Sequence, residues 1–161
     1  EGMNGGEGDG YTVPLAVPGH TLGHLAFHFP RAKAVFSADS LMALGCGRLF
    51  EGTPEMMWDS MQKFLAMPDD TLVYSGHEYT AANARFALTI EPDNAALQAR
   101  AAEIDAKRSR NEPTVPASIG QEKETNPFLR AHLHEVKALL NMESSPDAEV
   151  FAEIRRRKDS F

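Results

Sequence analysis

TVPLAVPGHTLGHLAFHFPRAKAVFSADS, residues 12–40, decides the fold. Thr12 to Val17 is a short β-prone run ended by Pro18 and Gly19. Leu25 to Phe29 alternates, with Leu25, Phe27 and Phe29 on one side and Ala26 and His28 on the other. A period of two predicts a half-buried strand, 25–29, with His28 facing solvent. Ala34 to Ser37 predicts a further short strand. Asp39 to Thr53 shows no period, and Gly45, Gly47 and Gly52 mark it as a loop. Thr53-Pro54 is then an N-cap followed by proline at the first helical position. Met57, Met61, Phe64 and Leu65 recur at helical spacing, which predicts a helix over 54–66. Pro68 and Asp69-Asp70 stop it. Thr71 to Tyr74 is β-prone again, predicting a strand over 71–75.

Beyond residue 78 the period changes to 3.6. Helices are predicted over 79–89, 94–109, 127–141 and 146–157, with Asn126-Pro127 and Ser145-Pro146 repeating the cap-plus-proline signature. Residues 111–126, with Pro113, Pro116 and Gly120, read as a long loop. Strands first and helices second predict an α+β layout of two subdomains meeting near residue 80. Residues 1–10 are glycine-rich and read as a flexible start. They have neither the basic nor the apolar region of a signal peptide.

The 161 residues carry 16 Lys+Arg against 23 Asp+Glu, a net charge of −7. That balance argues against a nucleic-acid partner. Apolar runs such as Leu41 to Leu44 fall far short of the ~20 residues a membrane helix needs, so no membrane partner is expected. Cys46 is the only cysteine and cannot form an internal disulfide, which predicts a reducing compartment, the cytoplasm.

Three candidates for chemistry sit where a strand meets a loop: His20 in PGHTLGH, Asp39 in FSADS and His77 in YSGHEYT. Two imidazoles and a carboxylate, each at the end of a strand, are what a zinc or iron site recruits. One carboxylate has two oxygens and can bridge two ions. His132 and His134 in HLHE are a weaker candidate. They fall inside the predicted 127–141 helix, where residues two apart point to different faces.

PGHTLGH, FSADS, GCGRLFEGT, YSGHEYT, NPFLR and the terminal RRRKDSF, in this order, resemble the glyoxalase II family, the hydroxyacylglutathione hydrolases of the metallo-β-lactamase superfamily. The likeness runs from about Pro14 to Phe161. It implies the second half of an αββα sandwich over residues 11–78 and a helical glutathione-binding domain over 79–161. It implies two divalent metal ions, zinc first, with iron or manganese as alternatives. His20 would ligate one ion, His77 the other, and Asp39 would bridge them. It implies hydrolysis of the thioester S-D-lactoylglutathione to glutathione and D-lactate by a metal-held hydroxide, the last step of methylglyoxal detoxification. Arg48 and Tyr79 would contact glutathione, and Arg155 and Lys158 would hold its glycine carboxylate. Phe50 stands where some relatives carry tyrosine, so a hydroxyl contact is absent there. His24 matches a family histidine beside the site and is not read as a ligand.

The family also carries a His-x-His-x-Asp-His motif ahead of these segments, and this sequence has none. The resemblance therefore implies that the chain corresponds to the C-terminal portion of such a protein, with an incomplete metal site and little activity alone. Two other readings compete. One is a related enzyme such as a glutathione persulfide dioxygenase with one iron, a class without the helical extension. The other is a non-catalytic remnant that binds glutathione or a partner. The oligomeric state is not legible.

Overall fold

The computed structural model describes residues 11–161. The glycine-rich start expected at 1–10 lies outside them. A five-stranded sheet has the order β1-β2-β3-β6-β7, built from β1 (Val13–Ala16), β2 (Leu25–Phe29), β3 (Ala34–Ala38), β6 (Leu72–Ser75) and β7 (Ala117–Ser118). β1, β2 and β3 form an antiparallel meander, and β6 adds parallel to β3. The crossover between them holds a small hairpin, β4 (Leu41–Met42) with β5 (Gly45–Cys46), and then α1 (Pro54–Leu65). The Thr53 hydroxyl caps α1 by accepting from Met56 N–H at 3.2 Å, as the Thr-Pro pair predicts. Downstream come α2 (Thr80–Ile90), α3 (Ala95–Ser109), α4 (Ile119–Thr125), a 3-10 turn (Pro127–Leu129), α5 (His134–Leu139) and α6 (Asp147–Asp159). The fold is α+β.

α1 buries Met57, Trp58, Met61 and Phe64 against the sheet residues Ala26, Val35 and Val73 and against Val17 just beyond β1. The same core continues into Phe86, Phe128, Phe151 and Ile154, so strands and helices share one hydrophobic interior. Phe128 is its hinge point, packing 6.2 Å from Phe86 and 5.7 Å from Phe151, centroid to centroid. Trp58 is buried within 6.0 Å of Phe151 and 5.8 Å of His132. A smaller cluster lies between α2 and α3, where Leu97, Ile104 and Ala84 enclose Leu44 from the hairpin turn.

The sheet corrects the reading of Leu25–Phe29. Ala26 faces the core and is fully buried, whereas Leu25 is 47% and Phe27 43% exposed. His28 shares the Ala26 face, is half-buried, and burial lowers its pKa. Registry across Phe27, Phe36 and Tyr74 shows why: they line one exposed sheet face, with Phe36 stacked on Tyr74 at 4.9 Å. That face is as apolar as the covered one, so alternation alone could not tell inside from outside.

Four further expectations change. The 39–53 loop contains the β4–β5 hairpin. The 111–126 loop contains β7 and α4, because β7 adds to the β6 edge and Ser118 caps α4 by accepting from Gln121 N–H. The 127–141 helix is broken between the 3-10 turn and α5, leaving His132 in the turn and His134 at the start of α5. At that break Arg130 leaves the helical path to pair with Glu91 and to donate to Lys123 O, a buried polar partnership that outweighs helix continuity. Ser145 is also not the cap of α6; Pro146 is, and Ser145 O accepts from Lys137 Nζ.

Packing at Phe128 generates a direct test. Phe128→Ala is expected to cost ~3–5 kcal/mol of unfolding free energy, because it opens a cavity between two rings. Phe36→Ala, half-exposed, is expected to cost under ~1 kcal/mol. Denaturant midpoints of the two variants check the ranking.

Candidate metal centre

His20 lies in the loop that turns β1 into β2. Val17 N–H donates to His24 O at 2.9 Å, and Ser60 Oγ on α1 donates to Pro18 O at 2.7 Å. Gly19 has φ +144° and its Cα faces Met57 so closely that no Cβ would fit, which requires glycine there. His20 Nδ1 is 2.8 Å from the backbone oxygen of Arg48. A carbonyl only accepts, so Nδ1 carries the proton and the Nε2 lone pair is left for a ligand.

Asp39 follows β3 and His77 follows β6. Because these strands are parallel, both side chains leave the sheet at the same edge, where Gly76 N–H donates to Ala38 O. His77 Nδ1 is 2.6 Å from Asp39 Oδ1, and His20 Nε2 is 3.8 Å from Asp39 Oδ2. One carboxylate thus stands between two imidazoles. An aromatic ring flanks each imidazole: Phe50 lies 5.0 Å from His20, and Tyr79 stacks on His77 at 4.8 Å.

Among the described residues no three His, Cys, Asp or Glu side chains form a preformed metal cage. The Asp39–His77 hydrogen bond occupies donor atoms that such a cage would use. The donor chemistry nonetheless fits a zinc or iron ion. Three side chains suffice for one ion with an open coordination position and are too few for two ions.

His20, Asp39 and His77 open onto a cavity of about 580 Å³ that is also lined by Cys46, Arg48, Phe50, Tyr79, Arg155 and Lys158. Every site residue expected from the sequence is therefore at this one cavity. Phe50 and Tyr79 are 69% and 53% exposed, so they form its rim. Arg155 is less available than expected. It is buried, Nη1 donates to Cys46 O at 2.8 Å, and Nε and Nη2 donate to Asp159 Oδ1. Asp159 also lies 3.8 Å from Arg48 Nε. Burial beside Phe86 and Phe161 pushes the Lys158 ammonium below the usual lysine range, and Arg155, Arg48 and Arg85 push the same way. A concentration of cations thus faces one cavity of an acidic chain. Burial also raises the Cys46 thiol to about 11, so it is not a nucleophile there. Sequence reasoning missed Asn83, Met42 and Gly47 as wall residues, and Asp159 as counter-ion. The GCG repeat was the available signal for Gly47: a Cβ there would press on His20 and on Asp39 O.

Residues 78–161 match the family model described as hydroxyacylglutathione hydrolase C-terminus, and residues 1–77 match the metallo-beta-lactamase superfamily model. The superfamily implies divalent metal ions. The hydroxyacylglutathione hydrolase of Ruegeria pomeroyi is 65% identical over 147 residues, covering 91% of this chain and 58% of its own length. That of Rhizobium meliloti is 57% identical over 147 residues, covering 91% and 57%. The chain thus spans about 58% of the length of the curated relatives it matches. A metallo-beta-lactamase from Staphylococcus aureus superposes with a TM-score of 0.49 at 17% identity, over 90% of this chain and 38% of that one. No described helix is long and apolar enough to cross a membrane.

Lys158 carries a pH test. Its pKa lies below the ordinary lysine value, so its charge is lost earlier as pH rises. Affinity for a small dicarboxylate such as succinate, which does not itself titrate there, should therefore fall in the alkaline range before 10.5, the value of a free lysine. Lys158→Arg, whose guanidinium stays charged, should abolish that fall. Calorimetric titrations across pH check both.

Proposed function

The chain belongs to the hydroxyacylglutathione hydrolase family, and from that membership we propose that it carries part of the site for hydrolysing a 2-hydroxyacyl thioester of glutathione, S-D-lactoylglutathione in the first instance, to glutathione and the free hydroxy acid. In this reading His20, Asp39 and His77 hold divalent metal, zinc first, with Asp39 shared where two ions are present. Bound metal supplies Lewis acidity and brings water towards deprotonation at neutral pH. A two-ion site needs donors beyond these three.

The observation that carries the proposal is the convergence on one cavity of a carboxylate between two imidazoles and a set of cations. The first group suits attack on a thioester carbonyl. The second suits a tripeptide with two carboxylates, which needs fixed positive charge to be held against water. His20 is already in the tautomer that offers Nε2 to the cavity. Arg48 and Lys158 attract the peptide end, and Asp159 stands on Arg155 and Arg48 where a ligand carboxylate could take over. The Tyr79 phenol orients the thioester from the rim. Phe50 offers a ring and no hydroxyl, so it contributes an apolar wall only. An unpaired, buried Cys46 accords with a cytoplasmic setting.

The test is metal content and S-D-lactoylglutathione turnover in the whole protein that contains this chain. Bound metal and turnover are expected there, and Asp39→Ala should remove the metal and lower turnover at least ~100-fold, given the several kcal/mol that metal stabilisation supplies. The 161-residue chain by itself, with three donors, is expected to bind metal weakly and turn over little. Full turnover by the short chain with two metals bound would sink the ligand assignment.

A further inference from the structure

The β4–β5 hairpin lies between Asp39 and Arg48, and its backbone is buried from Leu41 to Gly47. Buried backbone polar groups need partners, and here the helices supply them as side chains. Asn126 Nδ2 donates to Met42 O and to Gly45 O, each at 3.1 Å. Asn83 Nδ2 donates to Ala43 O at 3.1 Å. Leu44 N–H donates to Glu122 Oε2 at 2.9 Å. Leu44 is also in the left-handed region, φ +58°, a strained state for leucine that persists only where the surroundings impose it.

Glu122 and Asn126 are the centre of this grip. Both are fully buried. Asn126 Nδ2 is also 3.0 Å from Glu122 Oε2, so its two N–H groups are shared among three acceptors, and Glu122 Oε1 pairs with Arg100, whose Nη1 donates to Thr125 Oγ1. Phe128 N–H donates to Asn126 Oδ1, so the NH2 end of Asn126 must face the hairpin. At its exit the hairpin runs into Gly47, whose N–H donates to Ser40 O, and then into Arg48, whose carbonyl accepts from His20 Nδ1 at 2.8 Å.

We infer that Glu122 and Asn126 are positioning residues for His20: by holding the 42–46 turn they place the Arg48 carbonyl that selects the His20 tautomer and aims its Nε2 at Asp39. The inference rests on the reading of His20 as a metal ligand. A bland structural role would stabilise the fold without reaching His20. The two differ in what happens at the imidazole when stability is lost equally.

The experiment uses the whole protein, metal-free, and long-range 1H–15N spectra of its histidine rings. The unvaried protein should show His20 with its proton on Nδ1 alone. Asn126→Ser and Glu122→Gln should each bring in the second tautomer. In the loaded protein they should weaken zinc affinity ~10–100-fold, the usual effect of losing a group that orients a ligand, and lower kcat with KM held within about two-fold. Val136→Ala, a buried α5 position outside the grip, supplies the matched loss of Tm and should leave tautomer and zinc affinity unchanged. An unchanged His20 tautomer in both grip variants, or the same change in Val136→Ala, overturns the inference. If the grip variants do not fold, hydrogen exchange in the unvaried protein decides. His20 Nδ1–H and Leu44 N–H should then share one opening free energy, and a His20 proton exchanging independently of Leu44 overturns the inference. Absence of metal and turnover in the unvaried protein would refute the proposed function instead, while the tautomer result still judges the positioning role.

Discussion

Parallel pairing of β3 with β6 is the constraint on which the site depends. Two parallel strands end at the same edge, so the residues that follow them are neighbours regardless of what the chain does between them. β1 is antiparallel to β2 and β2 to β3, so β1 runs in the same sense as β3 and ends at that edge too. His20, Asp39 and His77 are therefore the exits of three co-directional strands. Open sheets present ligands at the carboxyl ends of their strands for this reason. Here the rule places each of two imidazoles within hydrogen-bonding or near-contact distance of one carboxylate.

Strand exits alone give location, and the helices give precision. His20 is oriented by a backbone carbonyl in a loop that the helices grip. The His77 segment is tied down by its neighbour Glu78, which accepts from Thr114 N–H and from the Thr114 hydroxyl. A different helix, α6, carries Arg155 and Lys158 to the cavity wall. The helical half thus shapes the sites of both histidines as well as charging the cavity. The shared core through Phe86, Phe128 and Phe151 makes that arrangement stiff.

The α+β order, the main strands and the strand-end places of His20, Asp39 and His77 were legible because each depends on local signals, whereas Arg48, Phe50, Tyr79, Arg155 and Lys158 were implied by the family resemblance. Period two, a Thr-Pro cap and short motifs at strand ends all act within a few residues. The parts that were not legible depend on distant partners. Nothing local in Met42–Cys46 announces a hairpin; its backbone is satisfied by Asn83, Glu122 and Asn126, far along the chain. Ala117–Ser118 is a strand only because the β6 edge is there to receive it. The 127–141 pattern is broken by the attraction of Arg130 for Glu91. At β2 the alternation holds and the buried side is the opposite one, since the rings of Phe27, Phe36 and Tyr74 line the exposed face while Ala26, Val35 and Val73 face the core.

Trp58 gives the molecule its own optical gauge. It is the only tryptophan of the chain, and it is buried where α1 meets α6. Its emission therefore reports on one seam and on no other. Parting the helices from α1 would let water reach the indole and shift its light to the red, while loosening at the far sheet edge would leave it dark to the change. His132 lies 5.8 Å away, close enough for its ring to affect the emission of the indole. A chain that builds its cavity from two layers thus carries, at the joint between them, a lamp whose colour records whether the joint is shut.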